Sequence, residues 1–558
     1  MNPTPASRGR AAASAAHLPT GPSALEGYDF DAERARCAGI PDVVIRGRRL
    51  NRGTAVVSIT GPMETPRHEA VRRAHEAAIF PNTLAPDSPV VELGWPIAGP
   101  FVSCPAGVYM DLYLAVAQKV LDPAHPAFRD AVRILQENDL VLRREINTDD
   151  YLVAGEGADG VRTPQEVAAL AASVAASEFP GTGPWKCFLS NSGAEAVEAA
   201  VKIAWQVRYK RFLDQHGFPL LERVAKDLGI PRVPELDAER SREEPLLADY
   251  PFFLVSCWGA FHGRTLGALH FTVSKKAQRA GYPQVRWVKR IPFNGAPKDL
   301  EELIDPRPIG AILDAPGGVR AVIESGRIPR DLFAGFLLEP FQGEGGYRPA
   351  DQEWLQGVER VVHASGGLLL LDEVQTFGRT GTVFFGAQLG VKPDVVATAK
   401  GMVVGATLAR AEFSPLLHTG WHANTWGGGK VVDNQFAWTT LNTLLHHRDP
   451  VLGGLSYLEN ERVKGAYLAA GLERLRQRRP KIVEGFDARG LMAGLSVRRR
   501  ADIVRVGWAR GLKLLGCGAS GEVARLRLLF LADSLAREID EALRVLDEVL
   551  AEVESSPA

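Results

Sequence analysis

Six short segments carry side chains suited to chemistry. Asp372 follows the apolar run Leu368 to Leu371. An acid in that place lies at a strand's carboxyl end, where burial raises its pKa unless a cation compensates. It suits a cationic ligand nitrogen, although a strand-end Asp capping a loop or helix reads the same. Lys400 closes Val395-Val396-Ala397-Thr398-Ala399-Lys400 and precedes Gly401. A lysine in a low-dielectric site gives up its proton readily and attacks a carbonyl. A lysine snorkelling from a strand end to solvent has the same pattern. Ser192-Gly193-Ala194-Glu195 opens an apolar-striped helix with a capping-box spacing. Its small residues also leave backbone N–H groups open to a phosphate. Phe261, after the run Phe252 to Ser256, can stack on a flat ring, and Arg264 can fork onto a carboxylate. Two loops complete the set: Glu339 to Gly346, and the polar, glycine-rich Asn424-Thr425-Trp426-Gly427-Gly428.

The runs Phe252 to Ser256, Gly335 to Leu338, Leu368 to Leu371 and Val395 to Thr398 are short, apolar on both faces and bounded by loop residues. Buried parallel strands look like this. Alternation with helical stretches predicts an α/β fold, a parallel sheet covered on both faces. Ligands of such sheets bind beyond the strands' carboxyl ends, where the chemical segments fall. Residues 1–45 read as a tail and extension, disordered in part, and 46–150 as the N-terminal part of a small domain. Residues 151–430 form the large domain, with an insertion at 211–250 whose charged stretch Arg232 to Glu244 reads as solvated. Residues 431–558 change rhythm and form the C-terminal small domain. There Gly494 to Val497 and Ala524 to Leu531 read as strands. Leu535, Ile539, Ala542, Leu546, Val549 and Val553 line one face of a closing helix.

Composition narrows the function classes. With 558 residues, 46% hydrophobic and 23% charged, the chain is an ordinary globular one. The 65 Lys+Arg balance 66 Asp+Glu, so no global charge favours nucleic acid. No run is apolar and proline-free over a membrane's width, so no membrane partner is expected. Five scattered cysteines show no zinc spacing, so no metal is expected and a reduced, cytoplasmic compartment fits.

In order along the chain, NSGAEAVEAAVKIA, AFHGRTLGAL, EPFQGEGG, LLLDEVQTFGRTG, PDVVATAKG and NTWGG resemble the class III aminotransferases, pyridoxal 5'-phosphate enzymes of fold type I. The resemblance implies a large domain with a mostly parallel sheet, and a smaller α/β domain built from both chain ends. It implies that Lys400 binds the cofactor covalently and then shuttles protons, and that Asp372 keeps the pyridine nitrogen protonated. By the same likeness Gln375 would bond the phenol oxygen, Phe261 and Val374 would sandwich the ring, and His262 would belong to the cofactor site. Ser192, Gly193 and Ala194 would cradle the phosphate, joined by Thr425 from the neighbouring subunit, so a homodimer with a shared site is implied. Arg527, chosen over Arg525, would bind the α-carboxylate of 2-oxoglutarate, with Glu344 masking it while the donor is bound. Arg264 would hold the donor's distal carboxylate.

The Trp426 form of the last loop is similar to L-lysine 6-aminotransferase and 4-aminobutyrate aminotransferase. The expected reaction moves a terminal amino group from a lysine-like donor, or second a 4-aminobutyrate-like one, to 2-oxoglutarate through the pyridoxamine form of the cofactor. The rival readings are an aminomutase, racemase or decarboxylase on the same scaffold, and a catalytically silent scaffold. Residues 61–110 show little likeness to the family, and they belong to the region that shapes the donor pocket.

Overall fold

The computed structural model describes residues 25, 27–63, 66–78, 94–140, 160–230, 251–285, 287–424, 427, 430–518 and 524–557. In chain order the elements that build the site begin with helix α1 (Phe30–Arg36), strands β1 (Phe101–Cys104), β2 (Gly107–Asp111) and β3 (Trp185–Ser190), and helices α2 (Gly193–His216) and α3 (Phe218–Leu228). Strands β4 (Phe253–Cys257), β5 (Val288–Ile291) and β6 (Phe333–Leu338), helix α4 (Gln352–Ala364), and strands β7 (Leu368–Asp372), β8 (Val395–Thr398) and β9 (Gly405–Arg410) follow. The last part holds helices α5 (Val431–His446) and α6 (Tyr457–Arg478), then strands β10 (Val483–Arg489) and β11 (Met492–Val497). Helix α7 (Arg500–Ala509), strands β12 (Leu512–Lys513), β13 (Leu515–Cys517) and β14 (Arg525–Leu529), and helix α8 (Ala536–Ser555) complete it.

One sheet of seven strands, ordered β3-β9-β8-β7-β6-β4-β5, dominates the large domain. Strands β8, β7, β6, β4 and β5 run parallel; β9 is antiparallel to β8 and to β3. The four apolar runs are the strands of its centre. Their residues are buried on both faces because helices cover both, which is why no period-2 alternation marks them in the sequence. Gly335 lets β6 approach β7: a Cβ there would stand 2.4 Å from the Leu368 carbonyl oxygen.

Helix α2 begins with both halves of a capping box. Ser192 Oγ accepts from Glu195 N at 3.3 Å, and Glu195 accepts from Ser192 N at 3.1 Å. Ala196, Val197, Ala200 and Ala204 then bury its face in the main core. The insertion range at 211–250 begins inside this helix. It continues through α3, whose Leu221, Val224 and Ala225 are buried in the same core. The charged stretch Arg232 to Glu244 lies outside the described residues.

The smaller domain joins the two chain ends. Strand β12 pairs in parallel with β2, aligning Leu512 with Met110 and Lys513 with Asp111, and β1 pairs antiparallel with β2. Strands β10-β11-β14-β13 form an antiparallel sheet. A second core gathers Leu50, Phe101 and Met110 with Leu468, Leu495, Leu526 and the α8 residues Ile539, Ala542, Leu546, Val549 and Val553. Buried charge ties the ends as well. Arg52 stands 2.6 Å from Asp533 and 2.9 Å from Glu538, and Lys464 on α6 pairs with Glu33 on α1 at 2.5 Å, both side chains fully buried. Such pairs add little net stability but are costly to break singly. Among the described residues no helix is long and apolar enough to cross a membrane.

Candidate active site

Because β4, β6, β7 and β8 are parallel, their carboxyl ends open on the same edge of the sheet. Asp372 is the last residue of β7, Lys400 lies two residues past β8, Glu339 follows β6, and Phe261 and His262 sit in the loop after β4. All line one cavity of about 1000 Å³. Ser192, Gly193 and Ala194 enter it from the start of α2, Val374 and Gln375 from the turn after Asp372, and Arg264 from the β4 loop. Glu344 and Arg527 line it too. Every sequence-predicted site residue is therefore brought together except Thr425, which lies outside the described residues with Trp426.

Lys400 sits on a strained turn. Its φ is +50°, and Val403 three residues later has φ +71°. A β-branched residue there is a genuine outlier, and such strain clusters at functional sites. The amine donates to Gln375 Oε1. Burial, with smaller pushes from the Arg527 and Arg379 cations, lowers its pKa to about 8. Gln375 is held from the other side, where its Nε2 donates to Tyr347 Oη at 2.7 Å.

Asp372 is fixed at both oxygens. Oδ2 stands 2.8 Å from His262 Nδ1, and Oδ1 accepts from Val374 N at 3.1 Å. His262 is itself held, with Nε2 3.3 Å from Ser256 Oγ. The imidazole thus supports the carboxylate from the sheet side. Glu339 bridges two loops, accepting from Phe261 N at 2.9 Å and Gly343 N at 3.0 Å. Burial pushes its carboxyl up to about 7 despite the neighbouring His262.

The N-terminus of α2 has the fit expected of a phosphate cradle. Glu195 occupies the Asn191 and Ser192 N–H groups, leaving the first N–H groups of the helix proper toward the cavity. Gly193 has no room for a side chain: a Cβ would meet Val374 Cγ1 at 2.9 Å. An amine of lowered pKa, a fixed carboxylate, an aromatic face at Phe261 and this helix start match the aldehyde, ring nitrogen, ring and phosphate of pyridoxal 5'-phosphate.

On another part of the wall lies an ion cluster. Arg527, 2% exposed, pairs with Glu344, whose second oxygen is 3.0 Å from Lys275 Nζ. Burial alone would raise the Glu344 carboxyl, but Arg527 and Lys275 outweigh it and hold it down to about 2. Burial opposes the Arg527 charge, but Glu344, with Tyr347 and Cys517, together outweighs it and raises the guanidinium's pKa. Arg525 instead pairs with Asp487 at 2.5 Å and does not line the cavity, whereas Arg527, the arginine chosen from the Arg-Leu-Arg pattern, does. Arg264 is exposed, with its guanidinium 5.8 Å from the Phe261 ring centre.

Sequence reasoning gave no role to Glu339, Tyr347 or Lys275. Glu339 had a signal, a carboxylate directly after a buried strand. Tyr347 and Lys275 had none, because only the folded chain brings them to Gln375 and Glu344. Among the described residues no group of three or more His, Cys, Asp or Glu could hold a metal ion.

Comparison with known proteins agrees with this geometry. The family model described as Aminotransferase class-III matches residues 108–550. An acetylornithine aminotransferase from Gloeobacter violaceus is 32% identical over 456 residues, covering 79% of this chain and 89% of its own. A putative [LysW]-aminoadipate semialdehyde/glutamate semialdehyde transaminase from Pyrobaculum aerophilum is 31% identical over 342 residues, 60% of this chain and 68% of its own. Among solved structures, a lysine aminotransferase from M. tuberculosis shares the fold at TM-score 0.64 and 24% identity, covering 87% of this chain and 99% of its own. An ornithine aminotransferase from Toxoplasma gondii does so at TM-score 0.63 and 19% identity, covering 87% and 95%. With its family motifs set around one cavity on a fold type I scaffold, the chain belongs to the class III aminotransferases, which depend on pyridoxal 5'-phosphate.

Proposed function

We propose that this enzyme moves a terminal amino group from a lysine-like, carboxylate-bearing donor to 2-oxoglutarate. One observation carries the reading: the Lys400 amine shares a cavity with an arginine covered by a removable carboxylate, Glu344 on Arg527. A single site that serves two substrates of different shape needs a cation that can be offered or withdrawn.

The bound cofactor supplies the electron sink that stabilises a carbanion at the substrate carbon. Lys400 holds the cofactor and then moves the proton at the donor's amine-bearing carbon; its lowered pKa provides a neutral amine near pH 8. Asp372, kept in place by His262 and Val374 N, holds the proton on the pyridine nitrogen. Gln375 bonds the phenol oxygen, and Phe261 and Val374 close on the ring faces. Ser192, Gly193 and Ala194 receive the phosphate, and Thr425 of a second copy of this chain completes that site, making a homodimer the active form. Arg264 takes the donor's distal carboxylate while Glu344 stays on Arg527. When the donor has left, Glu344 yields Arg527 to the acceptor's α-carboxylate. A cytoplasmic location accords with the free cysteines.

A second reading, with acetylornithine as donor, is supported by the name of the Gloeobacter violaceus relative. The holoenzyme, mixed singly with lysine, ornithine, acetylornithine, 4-aminobutyrate and β-alanine, tests both. The true donor changes the cofactor's absorbance, and 2-oxoglutarate restores it. A change with acetylornithine but not lysine selects the second reading. A donor-reduced cofactor that 2-oxoglutarate leaves untouched removes the proposed acceptor.

A further inference from the structure

Two cations hold Glu344, and they differ in kind. Arg527 belongs to β14 and its side chain is 2% exposed; Lys275 is 43% exposed and projects from the loop beyond Phe261. The root of Lys275 is fixed. Its backbone N–H donates to Gln278 Oε1 at 3.0 Å, and that oxygen also accepts from Ser274 Oγ at 2.7 Å. A flexible ammonium on a fixed stem therefore stands at the mouth of the cavity, already touching the second oxygen of the carboxylate that covers Arg527.

We propose that Lys275 is a positioning residue that receives Glu344 when the acceptor's carboxylate takes Arg527. The proposal rests on the exchange at Arg527 set out under Proposed function, and it adds where the displaced carboxylate goes. Releasing Glu344 beside an incoming carboxylate would leave two anions sharing one arginine. With Lys275, Glu344 keeps one ion pair throughout, so the exchange trades one contact and does not strand a charge. Without Lys275, Glu344 has Arg527 alone as its cation within this cluster, and the cover rests more firmly shut. Donor binding leaves Glu344 on Arg527 and does not call on Lys275.

The test uses the holoenzyme as wild type, Lys275→Gln, Lys275→Arg, Glu344→Gln and the Lys275→Gln/Glu344→Gln double variant. Two quantities are read: the Kd of glutarate, a dicarboxylate with no keto group, by calorimetry, and the kcat/KM of each half-reaction. For a half-exposed pair, Lys275→Gln should weaken glutarate and slow the 2-oxoglutarate half-reaction about fivefold. The donor half-reaction should stay within about twofold, and Lys275→Arg should restore most of the loss. In the Glu344→Gln background the same lysine substitution should change neither quantity by more than about twofold. An equal loss in both backgrounds overturns the proposal, because Lys275 then touches the ligand itself. A loss confined to the donor half-reaction, or no loss at all, also overturns it. A wild-type enzyme that neither binds glutarate nor reacts with 2-oxoglutarate refutes the acceptor reading first and takes this proposal with it.

Discussion

Lys400 should present a neutral amine at a far lower pH than an ordinary lysine. Its pKa of about 8 compares with an ordinary 10.5, chiefly because burial disfavours the ammonium, with Arg527 and Arg379 adding like-charge repulsion. At pH 7 the neutral fraction is then about 9%, against about 0.03% for an unperturbed lysine, roughly a 300-fold difference. Competitive acylation of cofactor-free protein with trace acetic anhydride, read peptide by peptide in a mass spectrometer between pH 6 and 11, measures this directly. Exposed Lys298 serves as an internal reference. The Lys400 labelling midpoint should lie near 8, and Arg527→Gln should move it upward by removing one of the repelling cations. Between about pH 8 and 10.5 the unfolded chain binds the proton that the folded chain has released. Unfolding free energy therefore rises with pH across that window, and below it the buried ammonium is destabilising. A labelling midpoint above about 10, or one indistinguishable from Lys298, would show that burial does not lower the Lys400 amine.

Other outcomes follow from the same contacts. Asp372→Asn should slow the proton-transfer step about a thousandfold or more, since the ring nitrogen loses its carboxylate; a rate near wild type in single-turnover kinetics contradicts that role. Glu344→Gln should leave Arg527 uncovered and raise reactivity with glutamate relative to a terminal-amine donor about tenfold. Because Glu344 is held at about 2, that preference in the wild type should not titrate with Glu344 between pH 5 and 9. Lys464→Met strands the buried Glu33 carboxylate and should cost about 3–5 kcal/mol, whereas Lys464→Met with Glu33→Gln should cost far less. Thermal unfolding checks this pair, and a single variant as stable as the double one rules out the stranded charge.

The amino-acid order dictates the central strands, because four short runs apolar on both faces can be satisfied only inside a covered parallel sheet. Each run coincides with a strand to within two residues at either end. It determined the start of α2, since Ser192 and Glu195 form a local hydrogen-bonded unit, and the closing helix α8, whose apolar stripe repeats at helical spacing. It also placed Asp372 and Lys400 at strand ends, because a polar residue that ends a buried run must emerge at the sheet's edge. It did not reveal β3, β5 and β9, whose burial depends on neighbours far along the chain, nor the pairing of β12 with β2, which joins residues some four hundred positions apart. Tertiary structure carries Arg525 of strand β14 to Asp487 and Arg527, the arginine already chosen from the sequence, to Glu344 in the cavity. It alone set His262 behind Asp372, Tyr347 behind Gln375 and Lys275 beside Glu344. Local patterns encode how a segment satisfies its own backbone and apolar surface. Pairings between charged and polar side chains on different loops carry no such periodic signature, and they come into being only when the sheet brings those loops to one edge.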